Sequence, residues 1–301
     1  MFVAGACLLL AAVWMAGCGG SDEPSAAEQA DTMQSAHEGD RPEATAAARE
    51  PEVSVEGDTV PYGTTEGGEA ITGYIAAPTR PDSVLEARGM NPDTATLPGL
   101  IVIHEWWGLN DNIRTATRRL AGEGYRALAV DLYGGASAET PDAARDLMQS
   151  AMSNQDQLLV NLEQAHTYLR DETGAPSVAV MGWCFGGGMT LKAAVNEPTR
   201  LDGAIVYYGS PSGISREDLE PVDFPMIGFF GENDQAIAVD AVRDLEQTLA
   251  DLEKDAEFHY YDAGHAFANP SGRNYDAEAA EDAWEKTTAF LQETLYDASS
   301  E

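Results

Sequence analysis

Val180-Met181-Gly182-Trp183-Cys184-Phe185-Gly186-Gly187-Gly188 constrains this chain more than any other stretch. An apolar strand runs into G-x-C-x-G and on into a helix, the pattern of a nucleophile elbow, in which a sharp strand-to-helix turn presents a reactive residue at the end of a sheet. Gly182 and Gly186 let the backbone pass close on either side of Cys184. The turn lifts the sulfur clear of the sheet and aims a helix N-terminus at it, which favours the thiolate. A buried cysteine before a glycine-rich turn fits this pentapeptide equally well, so the rest of the chain has to decide.

From about Val53 onward, strand and helix signals alternate. Ala70–Ala77 alternates enough for a strand, and Pro78–Pro98 reads as a polar excursion. Further strands are expected at Leu100–His104, Ala127–Asp131, Ser177–Gly182, Gly203–Tyr208, Pro225–Gly231 and Glu257–Asp262. Helices are expected at Asp111–Glu123, Pro141–Ser153, Gln155–Thr173, Gly187–Asn196, Val239–Lys254 and Asp276–Leu295. The strands are short and continuously apolar, as in a parallel sheet covered on both faces. One α/β domain follows: a mostly parallel, doubly wound sheet with helices on both faces, spanning residues 53–298.

The residues before that domain read differently. Residues 1–17 are apolar but too short for a comfortable membrane span, and a polar Gly/Ser-rich stretch follows, as after a secretory signal peptide. Met15-Ala16-Gly17-Cys18 resembles a lipobox, which would lipidate Cys18 and leave an exported, envelope-bound protein. An ordinary cleaved signal is the other reading. Residues 18–52, rich in Ala, Glu, Asp, Ser and Pro, read as a disordered acidic tether. With Cys7 in the signal and Cys18 at the anchor, Cys184 is the one cysteine left in the domain, too few for a disulfide framework or a zinc cluster. The formal charge of −34 repels nucleic acid and anionic lipid, so contact with a membrane is expected only through the anchor.

In a doubly wound sheet, functional groups gather on loops at the carboxyl ends of the strands. Only His259 and His265 follow Cys184. His259 sits inside a strand, whereas His265 lies just past its end on a glycine-bearing loop, and is the better base. The strand PMIGFF runs into Gly231-Glu232-Asn233-Asp234, so Asp234 is the candidate acid, with Glu232 not excluded by spacing. A buried carboxylate there would hold the imidazole tautomer. The order nucleophile, acid, histidine is that of α/β-hydrolases, whose oxyanion hole uses the backbone N–H after the nucleophile and one from an earlier strand-end loop. These map to Phe185 and Trp106.

The segments I-V-I-H-E-W-W-G-L-N, A-V-D-L-Y-G, M-G-W-C-F-G-G, G-E-N-D and G-H-A-F together resemble the dienelactone hydrolase family across roughly Val53 to Leu295. The resemblance implies a triad of Cys184, Asp234 and His265, and a pairing of Glu105 with the resting thiol, whose proton it takes when substrate enters. It also implies substrate-binding arginines where this chain has Gly134 and Asn269. Arg273 lies nearby in sequence, and with Trp107 and Tyr133 completes the candidate pocket. No metal and no organic cofactor is implied. The expected protein is a monomeric hydrolase of small carboxylic esters or lactones, acting through a thioester. A thiol acyltransferase or peptidase on the same fold, and a non-catalytic surface lipoprotein, are the rival readings.

Overall fold

The computed structural model describes residues 26–42 and 48–297. The expected signal peptide and Cys18 lie outside the described residues. Among these, an eight-stranded sheet is ordered β1-β2-β4-β3-β5-β6-β7-β8. Its strands are β1 (Val55–Thr64), β2 (Ala70–Pro78), β3 (Gly99–Ile103), β4 (Arg126–Val130), β5 (Val178–Trp183), β6 (Gly203–Tyr207), β7 (Met226–Gly231) and β8 (Ala256–Tyr261). The first two run antiparallel and the rest pair in parallel. This is the doubly wound α/β architecture expected from the alternating signals. Every residue of β3, β5, β6 and β7 is buried, because helices cover both faces and no side of these strands meets water.

The helices are α1 (Ala26–Ala36), α2 (Pro81–Ala87), α3 (Asp111–Gly122), α4 (Pro141–Met152), α5 (Gln155–Thr167), α6 (Phe185–Asn196), α7 (Arg216–Leu219), α8 (Val239–Asp251) and α9 (Ala277–Gln292). Asn110, Thr140 and Asp276 cap α3, α4 and α9 by accepting backbone N–H bonds at their N-termini, which satisfies donors a helix start leaves open. Expected and observed elements agree within a few residues, with four exceptions. β1 escapes notice because its polar residues face solvent and Pro61 interrupts it; the register shifts between Pro61 and Gly63, and an edge strand tolerates both. The polar excursion contains α2, and α7 is a single capped turn.

The fourth exception corrects the tether. Residues 26–42 are ordered where a disordered segment is expected. Helix α1 carries Ala30 and Met33 on a buried face and meets α4, with Arg145 bonded to Asp31 and Gln34 Nε2 donating to Asp142 Oδ1 at 2.5 Å. Surface bonds of this kind contribute little. Burying Met33 contributes about 1.5–3 kcal/mol, so apolar contact does most of the docking. Four alanines and one methionine in eleven residues are too weak an apolar pattern to announce a docked helix, and the face exists only once the domain supplies its partner.

Parallel register decides where the functional loops meet. Ile103 pairs with Gly182, Trp183 with Tyr207, Tyr207 with Phe229 and Gly231 with Tyr261. The residues that follow these strand ends therefore emerge side by side along one edge of the sheet.

Candidate active site

Cys184 sits at the turn between β5 and α6 with φ 56° and ψ −116°, a conformation that costs a non-glycine residue about 1–3 kcal/mol. Its N–H donates to Tyr207 O at 3.0 Å and its carbonyl accepts from Gly188 N–H at 3.1 Å, so both sides of the turn are tied. The flanking glycines are required by distance. A Cβ on Gly182 would stand 2.4 Å from Gly186 C, and one on Gly186 would stand 2.4 Å from Ile103 O. Backbone lies on both sides, so neither clash can be relieved by turning a side chain.

Cys184, with its sulfur, is buried, the residue 1% exposed. The backbone N–H groups of Phe185 and Trp106, the two donors expected for an oxyanion hole, act on it. They favour the thiolate, but burial, joined by the charge of Glu105, outweighs them and lifts the thiol well above its ordinary range. Met33 Sδ lies 3.3 Å away and His37 Nε2 3.9 Å.

His265 follows β8 and is 2% exposed. Its Nδ1 is 2.7 Å from Asp234 Oδ2, while Asp234 Oδ1 accepts the N–H groups of Ala236 at 2.7 Å and Ile237 at 2.8 Å. With the carboxylate so held, the imidazole proton belongs on Nδ1. Asn274 Nδ2 donates to His265 O at 3.0 Å and fixes the loop. His265 Nε2 is buried and has no hydrogen-bond partner among the described residues, and it lies within 4.8 Å of the sulfur. Glu232 pairs with Arg243 at 3.0 Å on the surface, which removes it as the alternative acid. His259 pairs with Glu257 at 3.0 Å and packs on Phe229, as a strand residue should.

Glu105 departs from what the resemblance implies. Its Oε1 accepts from Tyr208 OH at 3.4 Å and its Oε2 from Asn269 Nδ2 at 2.6 Å, so its hydrogen bonds go to these residues and not to the sulfur. Burial pushes its carboxyl up to about 8, against the bond from Tyr208. Asn269, which stands where an arginine is implied, is thus committed to the carboxyl. Trp106 and Trp107 are buried, with ring centroids 4.9 Å apart. The Tyr133 hydroxyl is buried with no partner among the described residues, and its ring lies beside Phe185. Arg273 is exposed. It donates from Nη1 to Glu38 O at 3.1 Å and from its backbone N–H to Asp40 Oδ1 at 3.0 Å, which corrects its assignment to the pocket: it anchors the segment after α1.

That segment is what the sequence reading missed. His37 Nδ1 meets Asp40 Oδ2 at 2.9 Å, and the His37 ring stacks on Trp106 at 4.8 Å and lies edge-on to His265 at 5.3 Å. The signal available was His37-x-x-Asp40, the one histidine before His104, in a stretch otherwise without chemistry. Beside Cys184 opens a cleft of about 640 Å³, lined by Met33, Met148, Met152, Phe185, Met189 and Ile237 among others. Methionine makes such a wall adaptable to apolar groups of varied shape. A second cleft of about 750 Å³ is lined by Glu105 but not by Cys184.

The dienelactone hydrolase family matches residues 85–295. A protein of Saccharolobus solfataricus described as a "Putative carboxymethylenebutenolidase" is 32% identical over 232 residues, covering 64% of this chain and 88% of its own. One of the same description from Escherichia coli K12 is 30% identical, covering 74% and 87%. A Klebsiella pneumoniae crystal structure, described as a "Putative Dienelactone Hydrolase", superposes with a TM-score of 0.66 at 27% identity, covering 79% of this chain and 99% of that one. The family match over most of the chain, the sheet order and the strand-end geometry agree, and the chain belongs to the dienelactone hydrolase family, hydrolases of the α/β-hydrolase fold.

Proposed function

We propose that the chain hydrolyses carboxylic esters or lactones through a thioester on Cys184. The observation that carries this is the buried His265–Asp234 pair at 2.7 Å, with the unpartnered Nε2 within 4.8 Å of Sγ. His265 Nε2 takes the thiol proton as sulfur attacks the acyl carbon. Asp234 keeps the other proton on Nδ1 and stabilises the imidazolium. The carbonyl oxygen takes up the charge where the N–H groups of Trp106 and Phe185 converge, and one such donor is typically worth about 100- to 1000-fold in rate. His265 then protonates the leaving alkoxide. Water, deprotonated by the same imidazole, attacks the thioester carbon, releases the acid and restores the thiol.

The methionine-lined cleft and the replacement of the implied arginines by Gly134 and Asn269 favour an uncharged, apolar acyl group. A panel of aryl esters and lactones, run on wild type and Cys184→Ala, tests the reading. Turnover in wild type with an acyl adduct on Cys184 is expected. Turnover that survives the substitution refutes it, and faster acyl transfer to an added amine or thiol than to water would make the chain a transferase. We also propose export with a lipid on Cys18. Incorporation of a labelled fatty acid that Cys18→Ala abolishes is the expected result.

A further inference from the structure

We propose that His37 Nε2, Cys184 Sγ and His265 Nε2 form a binding site for Zn2+. The inference rests on ligand geometry and on no step of the hydrolytic reading. The three side chains come from a loop after α1, the elbow and the loop after β8. All are buried, and their ligating atoms lie within 4.8 Å of one another. One thiolate and two imidazoles are ordinary zinc ligands, and three protein ligands are the number a catalytic-type zinc site uses. Around a tetrahedral ion such atoms stand roughly 3.4–3.6 Å apart, from bond lengths of about 2.3 Å to sulfur and 2.0–2.1 Å to nitrogen. The Sγ to His37 Nε2 separation is already 3.9 Å, so side-chain rotations of about an ångström close the set.

The arrangement behind the ligands argues further. Metal-binding imidazoles usually donate their other N–H to a carboxylate, which turns the free lone pair toward the ion. Both histidines have this backing: Asp40 at 2.9 Å from His37 Nδ1, and Asp234 at 2.7 Å from His265 Nδ1. Each carboxylate is itself held, Asp40 by the Arg273 N–H and Asp234 by those of Ala236 and Ile237. The second pair, His37 with Asp40, is delivered by a segment outside the sheet. His265 Nε2 is also a buried polar atom without a partner among the described residues, a condition that calls for a ligand. On loading, the thiol gives its proton to solvent, and the ion takes up one thiolate and two neutral imidazoles.

Zinc on Sγ occupies the lone pair a nucleophile needs, so the ion is a reversible block on any acyl transfer by Cys184. Only this consequence rests on the hydrolytic reading. Metal-free full-length protein titrated with Zn2+ by calorimetry, and with Co2+ by absorption, tests the site. One ion per chain is expected, with one proton released and a thiolate-to-cobalt charge-transfer band. Cys184→Ser should abolish the band. His37→Ala should weaken binding at least tenfold, and Asp40→Asn, which keeps the fold-bearing contacts, by roughly 10- to 100-fold. Wild-type affinity in His37→Ala, Co2+ binding without the band, or binding of Cu+ but not of Zn2+ would each overturn the assignment. A charge-transfer band in a protein that turns over no ester would keep the zinc site and sink the hydrolytic reading instead.

Discussion

Glu105→Gln offers the sharpest test of how burial controls this site. Burial lifts the Glu105 carboxyl from 4.5 to about 8, so the folded protein holds a proton that the unfolded chain releases. That difference corresponds to about 5 kcal/mol at most, and relaxation around a buried charge reduces such figures in practice, so about 2–4 kcal/mol is expected. Glutamine keeps an oxygen for Asn269 Nδ2 and an amide for Tyr208, the two partners of the native carboxyl, but cannot ionise. Wild-type stability relative to the variant is fully present below about pH 4.5, falls as pH rises, and levels off above about 8. Urea denaturation of both proteins at several pH values across this window measures the difference. The variant should gain on wild type steadily as pH rises. Parallel curves, or a variant less stable than wild type at pH 8.5, would show that Glu105 is not held protonated by burial. The same substitution removes the charge that helps raise the thiol, so alkylation of Cys184 should set in at lower pH.

Asp234→Asn should lower kcat by about 10⁴, through loss of the productive imidazole tautomer, with an unchanged circular dichroism spectrum; a loss under tenfold would remove Asp234 from the mechanism. Gly186→Ala puts a Cβ 2.4 Å from Ile103 O and 2.6 Å from His104 O. Overpacking against backbone costs about 1–3 kcal/mol, at about 2–4 °C per kcal/mol in a domain of this size, so a calorimetric midpoint within error of wild type would contradict the close approach. Met33→Ala uncovers the sulfur that Met33 Sδ contacts at 3.3 Å, and iodoacetamide should then modify Cys184 several-fold faster; an equal rate would mean that α1 does not cover it.

Most of this site was legible because its chemistry is local in sequence. Gly182-x-Cys184-x-Gly186 is spelled by the clash each glycine avoids, and β3, β5, β6 and β7 announce themselves as unbroken apolar runs because both their faces are covered. Asp234 and His265 each follow a recognisable strand, and parallel pairing brings such strand ends together without further instruction. β1 was illegible for the opposite reason, since an edge strand carrying Pro61 needs no apolar pattern.

What remained for tertiary structure to decide is whatever depends on a partner distant in the chain. Spacing left Glu232 beside Asp234; Arg243 at the surface takes Glu232, and His265 takes Asp234. The motif aligned Glu105 with the thiol, yet Tyr208 and Asn269 hold the carboxyl. Helix α1 has one large apolar residue, Met33, among alanines and polar residues, and its buried face arises only against the domain that receives it. His37 reaches Cys184 across 147 residues of sequence, and no periodicity or motif encodes such a meeting. The chain thus writes its elbow and its sheet in local pattern, because each is a backbone requirement. The surroundings of the sulfur are set by side chains that become neighbours only on folding.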